Sequence, residues 1–395
     1  MNEPLRIAHL ADTHLGYRAL GRTEPGSGRN QRAVDIERAF EQVIDDILTR
    51  DVDLVLHAGD VFHHTRPSWT TLSAFVRQMR KIEAAGLPCL VIAGNHDTPR
   101  MRQSGSVFDL LALALPGIRF VAGFAIEVWE PRGLDTVVHA VPHGALVNPD
   151  PAFVVLTPGK RNAIVTHGLA YGIDFRSAHE PGEEMLPPEL LDPAADYVAL
   201  GHYHLGGNPA GNAWYSGSTE RTGWGDEKVE PGYNLVTLAA PGETPVVEHL
   251  TIPTRPMLTL TPIGGEGREA RELADLVLDR ARALDDPTAM VRIELHGASR
   301  PLRREVEGLV RRDLNDAVWD LRLFTASDLL EQMRERGSEG LPPLEELFGR
   351  FVAEQRASGA YDEAFAATFL ERGRMALGQA QRSAEEAAAG EESAA

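Results

Sequence analysis

The chain has a single cysteine in 395 residues, Cys89, set inside the apolar stretch PCLVIAGN where a buried, inert thiol is expected. One thiol forms no intramolecular disulfide, so a disulfide-stapled fold is excluded and a reducing cytoplasm is the expected home. No stretch approaches the roughly 18 apolar residues of a membrane span. The opening MNEPLRIAHLAD also lacks the basic region and long apolar run of a secretion signal. Basic residues are in deficit too: 39 lysines and arginines face 58 aspartates and glutamates, a formal net charge of -19. That balance favours solubility and opposes wholesale attraction to nucleic acid or anionic lipid, so any contact with a polyanion must be local. There is no internal repeat.

The length exceeds the usual size of one domain and predicts two domains plus an appendage. Between residues 5 and 250, short apolar runs alternate with helical patterns. LRIAHLAD, VDLVLHAGD, CLVIAGNHD, VVHAVPHG, AIVTHG and YVALGHYH read as buried strands bounded by turn signals. AVDIERAFEQVIDDILTR, between the first two, places Val34, Ala39, Phe40, Val43, Ile44 and Ile47 close to helical spacing. The alternation predicts an α/β layered domain, in which ligands gather beyond the carboxyl ends of the strands.

After EHLTIPTRPM the pattern changes to strand LTLTPI, helix REARELADLVLDRARAL, strand AMVRIELHG, the Arg-rich helix PLRREVEGLVRRDL and strand WDLRLFT. A first domain over residues 1–252 and a small second one over 256–327 are expected. Residues 341–382 hold two short amphipathic helical patterns, one with Leu344, Leu347, Phe348, Phe351 and Val352, the other with Phe365, Phe369, Leu370 and Met375. Helices this short hold little core, so one apolar face is expected to meet a partner. Residues 383–395 are small, acidic and expected to be disordered.

The strand ends carry the chemistry. Asp12 and His14 lie in ADTHLG, Asp60 and His63 in GDVFHH, Asn95, His96 and Asp97 in GNHD, His167 in THG, and His202 and His204 in GHYH. All are nitrogen or oxygen donors without a thiolate, which suits Mn²⁺, Fe²⁺, Zn²⁺ or a similar ion. A DxH or HxH pair leaving a strand in extended form would turn both side chains to one side. Asp60, at the end of the adjacent strand, is the candidate bridge, giving one oxygen to each of two metals about 3.5 to 4 Å apart. His9, His57, His139 and His143 are expected in core or supporting roles.

The ordered set resembles that of the calcineurin-like metallophosphoesterases. HLADTHLGY, HAGDVFHHTRP, GNHD and YSGSTERTGWGD together look like the SbcD-type DNA double-strand-break repair nuclease subunits, tightly over residues 5 to 250. The resemblance implies an α/β, four-layer αββα metallophosphoesterase sandwich with a small α/β capping domain and C-terminal helices. It also implies two Mn²⁺ ions, exonuclease and endonuclease action on DNA, and an SbcC-type ATPase partner. By motif, Asp12, His14, Asp60 and His204 would hold the first metal, and Asp60, Asn95, His167 and His202 the second. His96 would meet the scissile phosphate, Asp97 would orient His96, and His63 would stand beside the bridging aspartate; His64 has no counterpart. RALGRTEPGSGRNQRAVD is longer and more polar than the pattern after the first motif.

For DNA, Arg300, Arg303, Arg304, Arg311 and Arg312 cluster in the second domain, and Arg66, Arg100 and Arg102 follow catalytic motifs. Either group could touch phosphates. The enzymatic alternative is a small-substrate phosphatase or cyclic-nucleotide phosphodiesterase using the same metals. It would need neither the second domain nor the paired helices, and GDVFHH lacks the arginine typical of phosphoprotein phosphatases. A scaffold with a degraded site is disfavoured because no ligand position is missing. Whether the chain forms a homodimer is left open.

Overall fold

The computed structural model describes residues 3–99, 104–148, 154–171, 184–314 and 316–325, with scattered residues between 349 and 373. Contacts divide the chain into two compact units. The first comprises Met1–Thr259 with Thr288–Met290, and the second Leu260–Pro287 with Val291–Ala395.

In the first unit the elements run β1 (Leu5–Leu10), α1 (Gln31–Leu48), β2 (Leu54–His57), α2 (Trp69–Ala84), β3 (Cys89–Ile92), α3 (Val107–Ala114) and β4 (Arg119–Val121). They continue as β5 (Glu127–Trp129), β6 (Thr136–Val141), α4 (His143–Leu146), β7 (Arg161–His167), β8 (Tyr197–Gly201), β9 (Gly207–Ala210), β10 (Ala213–Tyr215), β11 (Gly232–Leu238) and β12 (Val246–Thr251). Two six-stranded sheets result, ordered β12-β11-β1-β2-β3-β4 and β5-β6-β7-β8-β10-β9. Strands β1 to β4 run parallel, as do β6, β7, β8 and β10, while β5, β9, β11 and β12 add antiparallel pairs.

Strands β2, β3, β6, β7 and β8 are buried along their whole length, as strands covered on both faces must be, which is why their sequences read as continuous apolar runs. Alternate residues serve two cores. Ile7, Leu54, Leu56, Leu90 and Ile92 meet Val138, Ala140, Ala163, Val165 and Ala199 between the sheets. Ala8, Leu10, Val55 and Val91 meet Phe40, Val43, Phe75, Met79 and Phe108 beneath α1, α2 and α3. The outer face of the second sheet carries a thinner fourth layer: among the described residues it consists of α4, a 3₁₀ turn at Pro188–Leu191 and loop residues such as Leu186.

The polar insertion before α1 is pinned by Asn30. Its Oδ1 caps the helix by accepting from the Ala33 N–H, and its Nδ2 donates to the Ala19 carbonyl at 2.9 Å.

The second unit holds α5 (Ala270–Arg282), α6 (Arg300–Asp313), β15 (Asp320–Phe324) and most of β13 (Met257–Gly264) and β14 (Met290–His296), whose first residues belong to the first unit; the strand order is β13-β14-β15. Leu273, Val277 and Ala281 of α5 and Val306 and Val310 of α6 are buried, as are Val291, Ile293 and Leu295 of β14. The sequence expectations for 341–382 and 383–395 fall outside the described residues, apart from scattered helical positions.

Candidate dinuclear metal centre

The parallel strands of both sheets end at one edge, and the chain leaves them by turns of an unusual kind. Asp12, His14, Asp60 and His202 all have positive φ, at 51°, 42°, 52° and 102°. Left-handed backbone costs a residue with a Cβ about 1–3 kcal/mol and is held only by over-determining contacts. Those contacts are present. The Asp12 and His14 amides donate to the Gly59 and Asp60 carbonyls, both at 3.0 Å, and the His202 amide donates to both Asp12 carboxylate oxygens at 3.0 Å. The expectation that DxH pairs leave the strand in extended form is therefore corrected: left-handed turns, not strand alternation, aim these side chains.

Glycine is required beside them. A Cβ on Gly94 would lie 2.2 Å from Asp60 Oδ1, and one on Gly201 would lie 2.0 Å from the Ala58 carbonyl.

Two donor sets meet across Asp60. Ligand atoms of Asp12, His14 and His204 lie within 4.8 Å of one another, as do those of Asp60, His167 and His202. Asn95 Oδ1 joins the second set, 2.9 Å from His167 Nε2 and 3.1 Å from His202 Nδ1. Asp60 Oδ1 is occupied, accepting the His96 amide at 2.9 Å. Its Oδ2 faces both sets, 3.7 Å from His14 Nε2 and 3.3 Å from His167 Nε2. The bridge expected to use one oxygen per metal thus presents a single shared oxygen.

The donors fit divalent cations. His167 Nδ1 donates to the Ala58 carbonyl at 2.8 Å, so in the neutral ring Nε2 carries a lone pair aimed at two further acceptors, Asp60 Oδ2 and Asn95 Oδ1. His204 Nδ1 donates to both Asp226 oxygens at 3.1 Å, leaving its Nε2 2.9 Å from His14 Nε2. Converging lone pairs need a proton or a metal between them.

The electrostatics agree. Burial opposes charge on His167, but the Asp60 carboxylate outweighs it and pushes the ring up to about 9. His204 also resists charging by desolvation, yet Asp226 raises it to about 9. Asp60 pays for burial, but His167 and His14 hold its carboxyl well below the usual range. These are the sites at which cations would displace protons.

His63 and His96 stand at the rim. Their rings are stacked with centroids 5.1 Å apart, and His96 lies 4.9 Å from the His14 ring. His96 Nδ1 donates to the His63 carbonyl at 3.0 Å. The expectation that Asp97 orients the His96 ring is corrected. Asp97 accepts the backbone N–H groups of Val61, Phe62 and Gly94 at 3.0, 2.9 and 3.1 Å and so folds the loop carrying Asp60. Its placement follows from burial, since a fully covered carboxylate must find donors and backbone amides were the ones in reach.

His64 lies against the His63 ring, 4.6 Å between centroids. Supporting partners are Tyr197 for His9, Thr13 for His57 and Asn162 for His139.

Arg66 is exposed, whereas Arg100 and Arg102 fall outside the described residues. In the second unit Arg304, Arg311 and Arg312 are exposed on α6, while Arg300 and Arg303 are half-buried and Arg303 pairs with Glu307. Sequence reasoning gave no role to Asp226 or to the buried Arg32, which donates to Asp35 and to the Arg221 carbonyl. The only signal for Asp226 was its position closing the motif YSGSTERTGWGD.

The calcineurin-like phosphoesterase family model matches residues 5–206. The DNA double-strand break repair protein Mre11 of Halobacterium salinarum is 30% identical over 82% of this chain and 79% of its own length. The protein of the same name from Haloferax volcanii is 33% identical over 74% of this chain and 61% of its own, and that of Methanosarcina mazei is 30% identical over 76% and 46%. The match therefore spans between about half and four fifths of these relatives. With the motif-bearing loops of residues 5–206 gathered at one sheet edge, the chain belongs to the calcineurin-like phosphoesterase family.

Proposed function

We propose that the chain is a Mn²⁺-dependent DNA nuclease subunit that hydrolyses phosphodiesters at DNA ends in double-strand-break repair. The observation that carries the reading is the single Asp60 oxygen facing two sets of nitrogen and oxygen donors, 3.7 Å from His14 and 3.3 Å from His167. The first cation would be held by Asp12, His14, Asp60 and His204, the second by Asp60, Asn95, His167 and His202. Bound there, a pair of divalent cations supplies positive charge for the non-bridging phosphate oxygens and acidifies a water.

The chain's own residues supply the rest. The Ala58 carbonyl and Asp226 fix the tautomers of His167 and His204 so that both present Nε2 to the cations. His96, with Nδ1 anchored on the His63 carbonyl, keeps Nε2 for the substrate. As a water oxygen bonds to phosphorus in line and gives its proton to solvent, the bond to the leaving oxygen breaks, and His96 stabilises that oxygen or protonates it through Nε2.

The names of the relatives support DNA as the substrate. The exposed α6 arginines, with Arg66, offer sequence-independent phosphate contacts on an otherwise acidic chain. In this reading residues 1–252 form the nuclease domain, 256–327 the DNA-binding cap, and 341–382 the segment that joins an SbcC-type ATPase in the cytoplasm. No helix among the described residues is long and apolar enough to cross a membrane.

Purified chain with Mn²⁺ should degrade linear double-stranded DNA. His96→Ala should still take up Mn²⁺ while kcat falls by about 10²–10⁴. Cleavage confined to small phosphate esters would replace this reading with the small-substrate one, and absence of Mn²⁺ uptake would end both.

A further inference from the structure

The chain passes from the first unit to the second after Thr259 and returns at Thr288. An arginine network ties the segment before the first crossing to Thr288, and it leads to the metal centre. Arg255 donates to both oxygens of Asp35 at 2.9 and 3.1 Å, and its remaining amino group donates to the Thr288 carbonyl at 2.9 Å. Asp35, in the first turns of α1, also accepts from Arg32 at 2.8 Å and from Gln31 at 2.9 Å. Arg32, 1% exposed, reaches on to the Arg221 carbonyl at 2.6 Å and to Glu220 at 3.4 Å. Arg221 returns to the exit segment, donating to Thr254 Oγ1 at 3.0 Å and to the Arg255 carbonyl at 3.3 Å, and braces its own loop through the Val229 carbonyl at 2.7 Å.

The residue after Arg221 closes the path. Thr222 donates through its amide at 2.8 Å and its hydroxyl at 2.7 Å to Asp226 Oδ2, and Asp226 holds His204. An unbroken line of direct contacts therefore runs from the exit segment, through Arg221, Thr222 and Asp226, to one donor set. The path ends on His204, a ligand of the first set alone, whereas His167 of the second set is anchored elsewhere, on the Ala58 carbonyl.

We infer that Arg255 and Arg221 are positioning residues that couple the segment leading into the second unit to His204, so that a rearrangement at that exit is felt by the first cation site and not the second. The network is built for such a role. Charge-assisted and bidentate bonds fix direction as well as distance, and Arg32 at their centre, 1% exposed, cannot relax into water if it loses a partner. The inference rests on the proposed assignment of the donor sets to two cations.

The test uses the full chain and Mn²⁺ alone. Calorimetry of the unsubstituted protein should show two uptake events, and electron paramagnetic resonance at full loading should show an exchange-coupled pair. In Arg255→Gln, affinity for one ion should fall about 10–100-fold, the range for lost outer partners of a ligand, with the other unchanged. At intermediate Mn²⁺ the spectrum should then become that of an isolated ion. Asp226→Asn should give the same pattern, and the double variant should lose little more than either single one, because both act through His204.

Thr254→Val keeps the side-chain volume and removes only the hydroxyl that accepts from Arg221. It should shift the same site in the same direction by a smaller factor, and it carries the test if Arg255→Gln does not fold. Equal weakening of both ions, additive losses in the double variant, or unchanged binding in folded variants would overturn the coupling while leaving the two-cation assignment intact. Absence of Mn²⁺ uptake by the unsubstituted chain would instead overturn that assignment and the coupling with it.

Discussion

His204 gives its Nδ1 hydrogen to both oxygens of Asp226 at 3.1 Å, and this one contact decides which ring nitrogen faces His14. The pair also sets a protonation balance. Desolvation disfavours charge on His204, Asp226 overcomes it, and the ring sits at about 9. In Asp226→Asn the largest attraction disappears while desolvation and the weaker pulls of Asp12 and Asp60 remain, so the metal-free His204 value should fall from about 9. A proton NMR titration of chelated protein checks this; a value still near 9 would mean that another carboxylate governs the ring.

The metal-free chain should be most stable near neutrality. His167 and His204 have folded values raised to about 9 from 6.5, so the stability they contribute is fully present below pH 6.5 and is lost as pH climbs towards 9. His9 and His57 are pushed down to about 3 by burial, so their neutral forms favour the fold above pH 6.5 and penalise it as pH falls towards 3. Thermal melts in a chelator should therefore decline on both sides of about pH 6.5. Excess Mn²⁺ should abolish the alkaline decline, because cations replace the lost protons. An alkaline limb indifferent to Mn²⁺ would separate these histidines from the metal centre.

Gly94→Ala tests the crowding around the shared carboxylate. The new methyl would stand 2.2 Å from Asp60 Oδ1 and 2.4 Å from its amide nitrogen. The loop must shift, which should cost about 1–3 kcal/mol and abolish high-affinity Mn²⁺ uptake. Gly123→Ala, where the added carbon meets nothing within 4 Å, serves as the control and should leave both properties unchanged. Denaturant unfolding and calorimetry measure the two effects.

The arginines of α6 should divide by function. Arg311 and Arg312 are exposed, and replacing both with Ala should weaken DNA binding and flatten its salt dependence by about one unit per lost phosphate contact. Arg303 is tied to Glu307 and to the Leu323 carbonyl at 3.4 Å, so Arg303→Ala should lower the melting temperature more than it changes the salt slope. Binding isotherms at several salt concentrations would show the reverse if Arg303 is the contact.

Much of the molecule could be read in advance because the determining signals are local. Buried parallel strands require uninterrupted apolar runs, so β1, β2, β3, β6, β7 and β8 were visible as such. The helix α1 was visible because Val34, Ala39, Phe40, Val43, Ile44 and Ile47 repeat at helical spacing, and all are buried. The nitrogen and oxygen donors stood out because each followed one of those runs.

What the sequence determined by itself was which groups sit at the strand ends and in what order, since burial and chain direction are encoded residue by residue. Only the tertiary structure decided where those groups point. The left-handed turns at Asp12, His14, Asp60 and His202, the single Asp60 oxygen turned to both donor sets, Asp97 bound to backbone amides and Asp226 bound to His204 depend on contacts between distant segments. His14 and His204 meet across 190 residues, and that distance closes only when two separately formed sheets pack with their carboxyl ends on one edge. No local pattern carries this information, because the direction of a side chain in a loop is set by whichever partner can satisfy its buried polar atoms.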